Sequence, residues 1–394
     1  MPQPRRSRNK TCSAFSSLLS PPEVNMSSKI KSVVSIVTLL FILSNLISQN
    51  QAQQVSNHSI AAFYVFGDSY VDPGNNDYIL SIAKSNFPPY GIDFVNQIAT
   101  GRFSNGKLIA DFFASFLGFQ NNSYVPYLAP NFTIQSTKPA VGFASAGTGF
   151  DNRTAALLNV IPMSTQLEYF REYKARLASS IGQEGADNLT RNAVFFVNCA
   201  VNDFVNTFYG AGHISLPAGT TIGQYEDFVL QQLQEFIQGL VGLGARRIAV
   251  SGVPLFGCWP IVITLYSSNL TNALGTRACN DTLNAVGNDY NMKVQAALRT
   301  MQNSSGNIGL KLAYFDTYTP MVNIRRNPAV FGIDVTNRGC CGTGLLELGP
   351  LCNSLSALCA NRSEYEFFDS VHPTQTTASI ILNANIAAIN FITS

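Results

Sequence analysis

Charged residues and histidines are both scarce in this sequence. The few, balanced charges argue against a disordered or nucleic-acid-binding protein, and the few histidines limit the candidates for a general base. Charged residues make up 12% of the 394 positions and hydrophobic residues 46%, a balance typical of a compact globular protein rather than a disordered one. From position 55 onward there are 19 basic and 22 acidic residues and no basic stripe, so nothing favours nucleic-acid binding. With only three histidines, a general base has three candidates: His58, His213 and His372.

The cysteines lack the paired spacing and accompanying histidines of a zinc site, so they predict disulfides in an oxidising compartment. Four of them fall within residues 340–359 and predict a stapled loop. The neighbours Cys340 and Cys341 are not expected to bond to each other, because that geometry is strained. Cys199 lies in an apolar, strand-like run and is interpreted as a buried free thiol. Cys12 is assigned to the leader, and the seven others are Cys199, Cys258, Cys279, Cys340, Cys341, Cys352 and Cys359.

The N-terminal region has the pattern of a secretory signal. Lys29 and Lys31 precede the apolar run 33–47, which is followed by polar residues; residues 26–54 therefore predict a signal peptide. The run is shorter than the ~20 residues of a membrane-spanning helix, although a retained signal anchor is an alternative. Residues 1–25 form an upstream extension of uncertain status. Met26 suggests a start-site ambiguity, and an organelle-targeting stretch is the other interpretation.

Glycosylation motifs agree with export of the chain. Their number suits a secreted, extracellular glycoprotein with N-linked glycans, for which the cell wall is one destination, and no later apolar run predicts a membrane span. The N-x-S/T asparagines are Asn57, Asn121, Asn131, Asn152, Asn188, Asn269, Asn280, Asn303 and Asn361.

The mature region alternates apolar strand patterns with helical ones, which predicts an α/β fold with a parallel sheet covered on both faces. We expect residues 55–394 to form one domain, from which the cysteine-rich segment 335–362 is an excursion. The main predicted strands are 61–66, 139–144, 192–200, 246–254 and 310–318. The main predicted helices are 108–117, 225–243, 284–301 and 376–391.

Ser69 is the candidate nucleophile, because it directly follows the first buried strand, where open α/β sheets place their ligands. Taken alone, Gly-Asp-Ser is as compatible with a helix cap or turn. His372 is the candidate base, since His58 and His213 lie in loop-like segments. Asp369 precedes His372 by three residues, a spacing that lets the carboxylate orient the imidazole, although an Asp-x-x-His surface turn is an alternative.

Two further residues could stabilise an oxyanion. Asn202 offers a side-chain amide after a predicted strand, and Gly147 offers a backbone N–H from a loop without a crowding side chain; ordinary turns are the alternative for each. All these groups follow strands or lie in the loops beyond, so they could meet along one sheet edge. The chain has no G-x-S-x-G elbow, which argues against the α/β-hydrolase arrangement.

This ordered set resembles the plant GDSL esterase/lipase family within the SGNH hydrolases, over about residues 60–392. The motifs that carry the resemblance are 66–69 (FGDS), 90–94 (YGIDF), 100–106 (TGRFSNG), 143–147 (FASAG), 253–258 (VPLFGC), 340–344 (CCGTG) and 367–374 (FFDSVHPT). The resemblance implies a three-layer α/β/α sandwich around a parallel, flavodoxin-like sheet. It also implies carboxylic ester hydrolysis with no metal or organic cofactor.

The resemblance assigns roles residue by residue. Ser69 is implied as nucleophile, His372 as base and Asp369 as its partner. The oxyanion hole is implied to consist of the Ser69 N–H, the Gly147 N–H and the Asn202 amide.

The chain departs from the family pattern at three places. Tyr70 stands where the family name has Leu, Gly142 replaces an Asn, and Ala200 replaces a Gly two positions before Asn202. An added methyl group at position 200 is expected to press on the loop that holds Asn202 and to narrow the pocket.

The sequence therefore predicts a secreted serine hydrolase of acyl or lipid esters that acts through an acyl-serine intermediate. An acyltransferase with the same intermediate, or a non-catalytic glycan- or lipid-binding protein, remains an alternative. Phe150, Phe204 and Phe208 could line an acyl pocket, but plain core packing is the preferred interpretation.

Overall fold

In the computed structural model, the described residues are 60–120, 123–134, 137–306 and 308–394. The predicted upstream extension 1–25, the predicted signal peptide 26–54 and His58 lie outside the described residues.

A six-stranded sheet with every neighbouring pair parallel runs through the described region, in the order β2-β3-β1-β4-β5-β6. Its four inner strands are entirely buried or nearly so, as expected when helices cover both faces of a parallel sheet. The strands are β1 (Phe63–Gly67), β2 (Tyr124–Pro126), β3 (Ala140–Gly142), β4 (Val194–Asn198), β5 (Arg247–Ser251) and β6 (Lys311–Phe315).

Helices cover both faces of the sheet. They are α1 (Ile109–Phe116), α2 (Asn152–Leu158), α3 (Met163–Ile181), α4 (Gln183–Arg191), α5 (Ile222–Gly242), α6 (Pro260–Leu265), α7 (Asp281–Ser304), α8 (Tyr318–Arg326), α9 (Gln375–Ala384) and α10 (Ile386–Thr393). Successive side chains of β1 point to opposite faces: Phe63 packs on Phe113 of α1, and Tyr64 packs on Phe170 of α3. The three-layer α/β/α prediction is confirmed.

The prediction of one continuous closing helix over residues 376–391 is wrong. The segment breaks at Asn385, and α9 and α10 meet at a bend of 58°. At this break the Asn385 side-chain amide binds the backbone of Asp316, accepting its N–H at 2.6 Å and donating to its carbonyl at 2.8 Å. Within the described residues, no single helix is long and apolar enough to cross a membrane, and this bent pair alone meets that test when its halves are taken together.

The excursion before α9 is a two-stranded parallel sheet of β7 (Val335–Gly339) and β8 (Tyr365–Phe367). Disulfides Cys340–Cys359 and Cys341–Cys352 close the segment between these strands. The third disulfide, Cys258–Cys279, ties the loop after β5 to the segment before α7. Cys199 is buried and free. The predicted stapled loop, the separate bonding of the two adjacent cysteines and the free Cys199 are thus confirmed.

Candidate active site

Ser69 lies just beyond β1, which is flanked in the sheet by β3 and β4. The carboxyl ends of these parallel strands meet at one edge, so the residues following them converge there. Ser69 is 8% exposed, and its Oγ lies 2.8 Å from Nε2 of His372. The structure therefore brings together a hydroxyl and an imidazole that lie 303 residues apart.

Asp369 and His372 form a tight turn after β8. Oδ1 of Asp369 accepts the N–H groups of Val371 and His372 at 2.8 and 2.7 Å, and Oδ2 lies 2.7 Å from Nδ1 of His372. A carboxylate only accepts, so this contact assigns the imidazole proton to Nδ1 and leaves Nε2 as the acceptor facing Ser69. The ring of Phe103 packs on the imidazole with centroids 4.7 Å apart.

Two backbone N–H groups at the site are available to a ligand. Among the described residues, neither the Ser69 N–H nor the Gly147 N–H has a hydrogen-bond acceptor. Gly147 has φ +89°, and a Cβ there would lie 2.7 Å from Cδ1 of Leu158. Glycine at position 147 therefore satisfies both the backbone conformation and the close approach.

Asn202 completes this group at the start of a π-helical turn, Asp203–Phe208, beyond β4. Its Nδ2 donates to the Thr148 carbonyl at 2.9 Å, and its Oδ1 accepts from Nδ2 of Asn206 at 3.2 Å. Because Asn206 fixes the amide orientation, the second Nδ2 hydrogen remains for a ligand. Ser69, Gly147, Asn202 and His372 line one cavity of about 290 Å³.

Comparison with known proteins points to one family. The family model described as GDSL-like lipase/acylhydrolase matches residues 63–385. One GDSL esterase/lipase of Arabidopsis thaliana is 46% identical over 321 residues, covering 81% of this chain and 84% of its own length. A second from the same plant is 41% identical over 322 residues, covering 82% and 88%.

The chain belongs to the GDSL lipase/acylhydrolase family. Its relatives carry esterase/lipase names, so this is a family of ester hydrolases. The resemblance read from the sequence motifs is confirmed.

Buried carboxyl groups hold the loops of this GDSL site. Asp72 accepts the Ala146 N–H at 3.0 Å, directly before Gly147, and Asp203 accepts the Phe150 N–H at 2.8 Å. Burial raises the pKa of Asp72 to about 6 and that of Asp203 to about 7, opposed by these donors. Burying the ionised carboxylates of Asp72 and Asp203 costs free energy, which offsets what their hydrogen bonds contribute to the stability of the fold. Their main effect is therefore to fix the loops that they bind.

The structure explains one family departure and shows strain at another. A Cβ at Gly142 would lie 2.5 Å from the Tyr124 hydroxyl and 2.6 Å from Pro73, so these neighbours occupy the space that a larger residue needs. Ala200 is fully buried with φ +99°, a backbone region that L-residues rarely adopt. The third departure, Tyr70, packs 6.0 Å from the His372 ring and donates to the Val371 carbonyl.

Other sequence candidates lie away from the site. His213 is exposed in a 3₁₀ turn, where Nδ1 contacts the Phe208 carbonyl. Phe150 and Phe204 are buried in the core and do not line the cavity, as preferred from the sequence, and Phe208 packs against that core. No cluster of potential metal ligands occurs in the part of the chain that the structure describes.

Sequence reasoning missed three groups that the structure adds to the site. Tyr90, within the sequence motif 90–94, donates to Asp369. Asn206 orients Asn202, and its position four residues later in a helical turn was the available signal. The apolar cavity wall includes Leu158, Val205, Trp259, Ile261 and Leu348, which gave no local signal.

Proposed function

We propose that this chain is a secreted, glycosylated serine hydrolase that cleaves carboxylic esters through an acyl-Ser69 intermediate. The observation that carries the proposal is the continuous contact chain from Asp369 through His372 to Ser69, at 2.7 and 2.8 Å. Such a relay is the arrangement by which a weakly nucleophilic hydroxyl is activated.

In the proposed first step, Ser69 Oγ attacks the ester carbonyl carbon while Nε2 of His372 takes its proton. Asp369 stabilises the resulting imidazolium through Nδ1. Collapse of the tetrahedral intermediate breaks the bond to the alcohol, which leaves with the proton from His372. A water molecule then attacks the acyl-enzyme by the same route and releases the acid.

The oxyanion of each tetrahedral intermediate would accept from the Ser69 N–H, the Gly147 N–H and one Nδ2 hydrogen of Asn202. All three residues line the same cavity as His372, and the two N–H groups have no acceptor among the described residues. Donors fixed before the reaction need no reorganisation as charge develops, which is why such groups contribute strongly to catalysis.

Acyl or lipid esters are the proposed substrates. Apolar side chains make up most of the remaining cavity lining, with Leu158, Val205, Ile261 and Trp259 among them. An apolar wall beside a few convergent polar groups favours a substrate with a hydrocarbon part next to its ester.

Secretion and glycosylation rest on separate observations. Three disulfides need an oxidising compartment. The sequon asparagines that are exposed within the described residues are Asn131, Asn152, Asn188, Asn269, Asn303 and Asn361. We therefore propose export through the predicted signal peptide to the extracellular space, with the cell wall as one destination.

The test is Ser69→Ala in protein produced by a secretory host and assayed on a p-nitrophenyl acyl ester. Loss of a serine nucleophile is expected to lower kcat by at least about 10⁴-fold, and it also abolishes fluorophosphonate labelling. Ser179→Ala is the matched control, because that serine is exposed on α3. Near-wild-type turnover in the folded Ser69→Ala protein would refute the mechanism.

The acceptor of the acyl group is measured on the wild-type enzyme. Product analysis with a hydroxyl compound present distinguishes hydrolysis, which yields free acid, from transfer, which yields a new ester. A folded protein that neither turns over esters nor reacts with the fluorophosphonate would support a binding role.

A further inference from the structure

Tyr90 makes a second side-chain contact with the acid of the proposed triad, in addition to that of His372. Its side chain is 1% exposed, and its hydroxyl donates to Oδ2 of Asp369 at 2.7 Å. This is the same oxygen that meets Nδ1 of His372. Asp369 therefore receives the phenol in addition to its two backbone donors and the imidazole.

The partners of the Tyr90 oxygen, Gly349 and Asp369, determine which atom donates in the contact between Tyr90 and Asp369. The Gly349 N–H donates to the Tyr90 oxygen at 2.9 Å, so that oxygen accepts from Gly349 and gives its hydrogen to Asp369. Burial raises the pKa of Tyr90 well above its ordinary value, and the nearby Asp369 charge raises it further. The phenol thus remains a donor over the working pH range.

Three aromatic rings hold the phenol ring in place. Phe87, Phe103 and Phe368 pack edge-on against Tyr90 with centroids 5.5 to 5.8 Å apart. Phe103 also packs on the imidazole of His372. Because these rings hold the Tyr90 ring, the hydroxyl oxygen is fixed, and only rotation about the C–O bond can move its hydrogen.

Gly349 brings the stapled loop into this network. It begins a 3₁₀ turn that ends at Leu351, directly before Cys352 and its disulfide to Cys341. Leu348, Gly349 and Pro350 also line the active-site cavity. A hydrogen-bonded chain therefore runs from the loop that borders the cavity, through Tyr90, to Asp369.

We propose that Tyr90 is a positioning residue for the proposed reaction: its hydroxyl, held by the Gly349 N–H of the stapled loop, fixes the Asp369 carboxylate and reduces the negative charge that it presents to His372. This inference rests on the proposed function of the same site. Tyr90 itself touches neither Ser69 nor the reacting ester, and it acts through Asp369.

Other ionisable groups around this corner are identified so that a pH effect can be assigned. Tyr70 packs on His372 from the segment after β1, with Asp68 beside it. Glu366 is buried in β8 and pairs with Arg325 of α8 at 3.2 Å. Among the described residues, none of them has a hydrogen bond or ring contact with Tyr90.

Tyr90→Phe is the first test, since it removes one hydroxyl and keeps the aromatic packing. Losing a donor to a charged acceptor is expected to lower kcat about tenfold with KM within about twofold. Without the phenol donor, the negative charge of Asp369 is less neutralised and favours the protonated imidazole more strongly. The acidic limb of the kcat/KM profile should therefore move to higher pH by about half a unit.

A second variant tests the inference even if Tyr90→Phe does not fold properly. Replacing Tyr90 by 3-fluorotyrosine through codon suppression keeps the hydroxyl and makes it a stronger donor, so the acidic limb should move to lower pH. Tyr225→Phe is the matched control, because this buried hydroxyl donates to another carboxylate, Asp151, at 3.0 Å. It should leave the acidic limb in place.

The outcomes separate the inference from the proposed function. Opposite displacements of the limb in the two Tyr90 proteins would support the positioning role. An unmoved limb in both, or an equal movement in Tyr225→Phe, would overturn it while wild-type turnover and Ser69 labelling stand. A wild-type protein with neither turnover nor labelling would overturn the proposed function and this inference together.

Discussion

The two halves of the site are held by different means. The serine corner (Ser69, Gly147 and Asn202) follows β1, β3 and β4, which are adjacent strands of the main sheet. The histidine corner (Asp369 and His372) follows β8 of the small sheet, whose partner β7 leads directly into two disulfide-bonded cysteines.

In the serine corner, the hydrogen bonds continue the sheet. The Asp68 N–H donates to the Asn198 carbonyl at 3.0 Å, and the Ser145 N–H donates to the Gly67 carbonyl at 2.8 Å. The fully buried apolar side chains of β1 and β4 support these bonds. This corner therefore depends on burial of the central core.

The histidine corner depends on a local network. The Phe368 N–H donates to the His372 carbonyl, and the Ser370 N–H donates to the Glu347 carbonyl, both at 2.8 Å. The Cys341 N–H donates to the Phe368 carbonyl at 2.9 Å. The histidine corner therefore relies on covalent closure of the loop that it contacts, so the two corners should fail under different treatments.

Among the changes that test this comparison, Asn202→Ala should have the largest effect, and it acts on the serine corner alone. Removing one oxyanion donor is expected to lower kcat by roughly 10²–10³-fold, while fluorophosphonate labelling of Ser69 slows less because the triad remains. Steady-state kinetics and the labelling rate provide the two readouts. A rise in KM with unchanged kcat would instead indicate that Asn202 only binds the ground state.

Removal of the Cys341–Cys352 disulfide should weaken the histidine corner. Cys341→Ser/Cys352→Ser is expected to lose about 3 kcal/mol of unfolding free energy, and kcat should fall because Gly349 no longer holds Tyr90. Denaturant unfolding and kinetics on the same preparation measure both effects.

Cys258→Ser/Cys279→Ser is the matched control for that experiment. It opens a loop of comparable separation, 21 residues against 11, but leaves the Gly349–Tyr90 contact intact. Comparable stability loss with the larger fall in kcat in Cys341→Ser/Cys352→Ser is the expected result, although Cys258 precedes Trp259 of the cavity wall. Equal losses of kcat in both would show that the stapled loop has no special relation to the histidine corner.

Ala200→Gly should have the smallest effect, a stabilisation of the serine corner. The methyl group at φ +99° carries a strain that glycine avoids, partly offset by the greater freedom of glycine in the unfolded chain, for a net gain of about 1 kcal/mol. Thermal melting measures it. Ala249→Gly in β5, also buried, should destabilise the protein, and a loss of stability in both would show that Ala200 is unstrained.

Much of the fold was predictable, because its elements are long and strongly patterned. The helix predicted over 225–243 is α5 (Ile222–Gly242), whose start is set by the capping box of Thr221 and Gln224. The strand predicted over 192–200 is the shorter β4. By contrast, α3 and α4 were missed, since α3 buries only a narrow set of its nineteen residues.

The proposed triad residues were also identified from sequence, whereas their supports were not. Ser69 and His372 carry chemistry that few side chains offer, and histidine is rare in this chain. Tyr90 and Asn206 are common residue types whose importance comes from one contact each, with Asp369 and Asn202. The Tyr90 contact joins segments 279 residues apart, which no local pattern encodes. Asn206 gave only its four-residue spacing from Asn202 as a signal.

Residue types and local periodicity were enough to predict the alternation of strands and helices, the cysteines available for bonding and the few groups able to carry acyl transfer. The contact of the Ser69 hydroxyl with His372, the link from the stapled loop through Tyr90 to Asp369 and the strained backbone of Ala200 became evident only in the folded molecule. Hydrogen bonds and close packing depend on distances between atoms far apart along the chain, and the burial of the common core sets these distances.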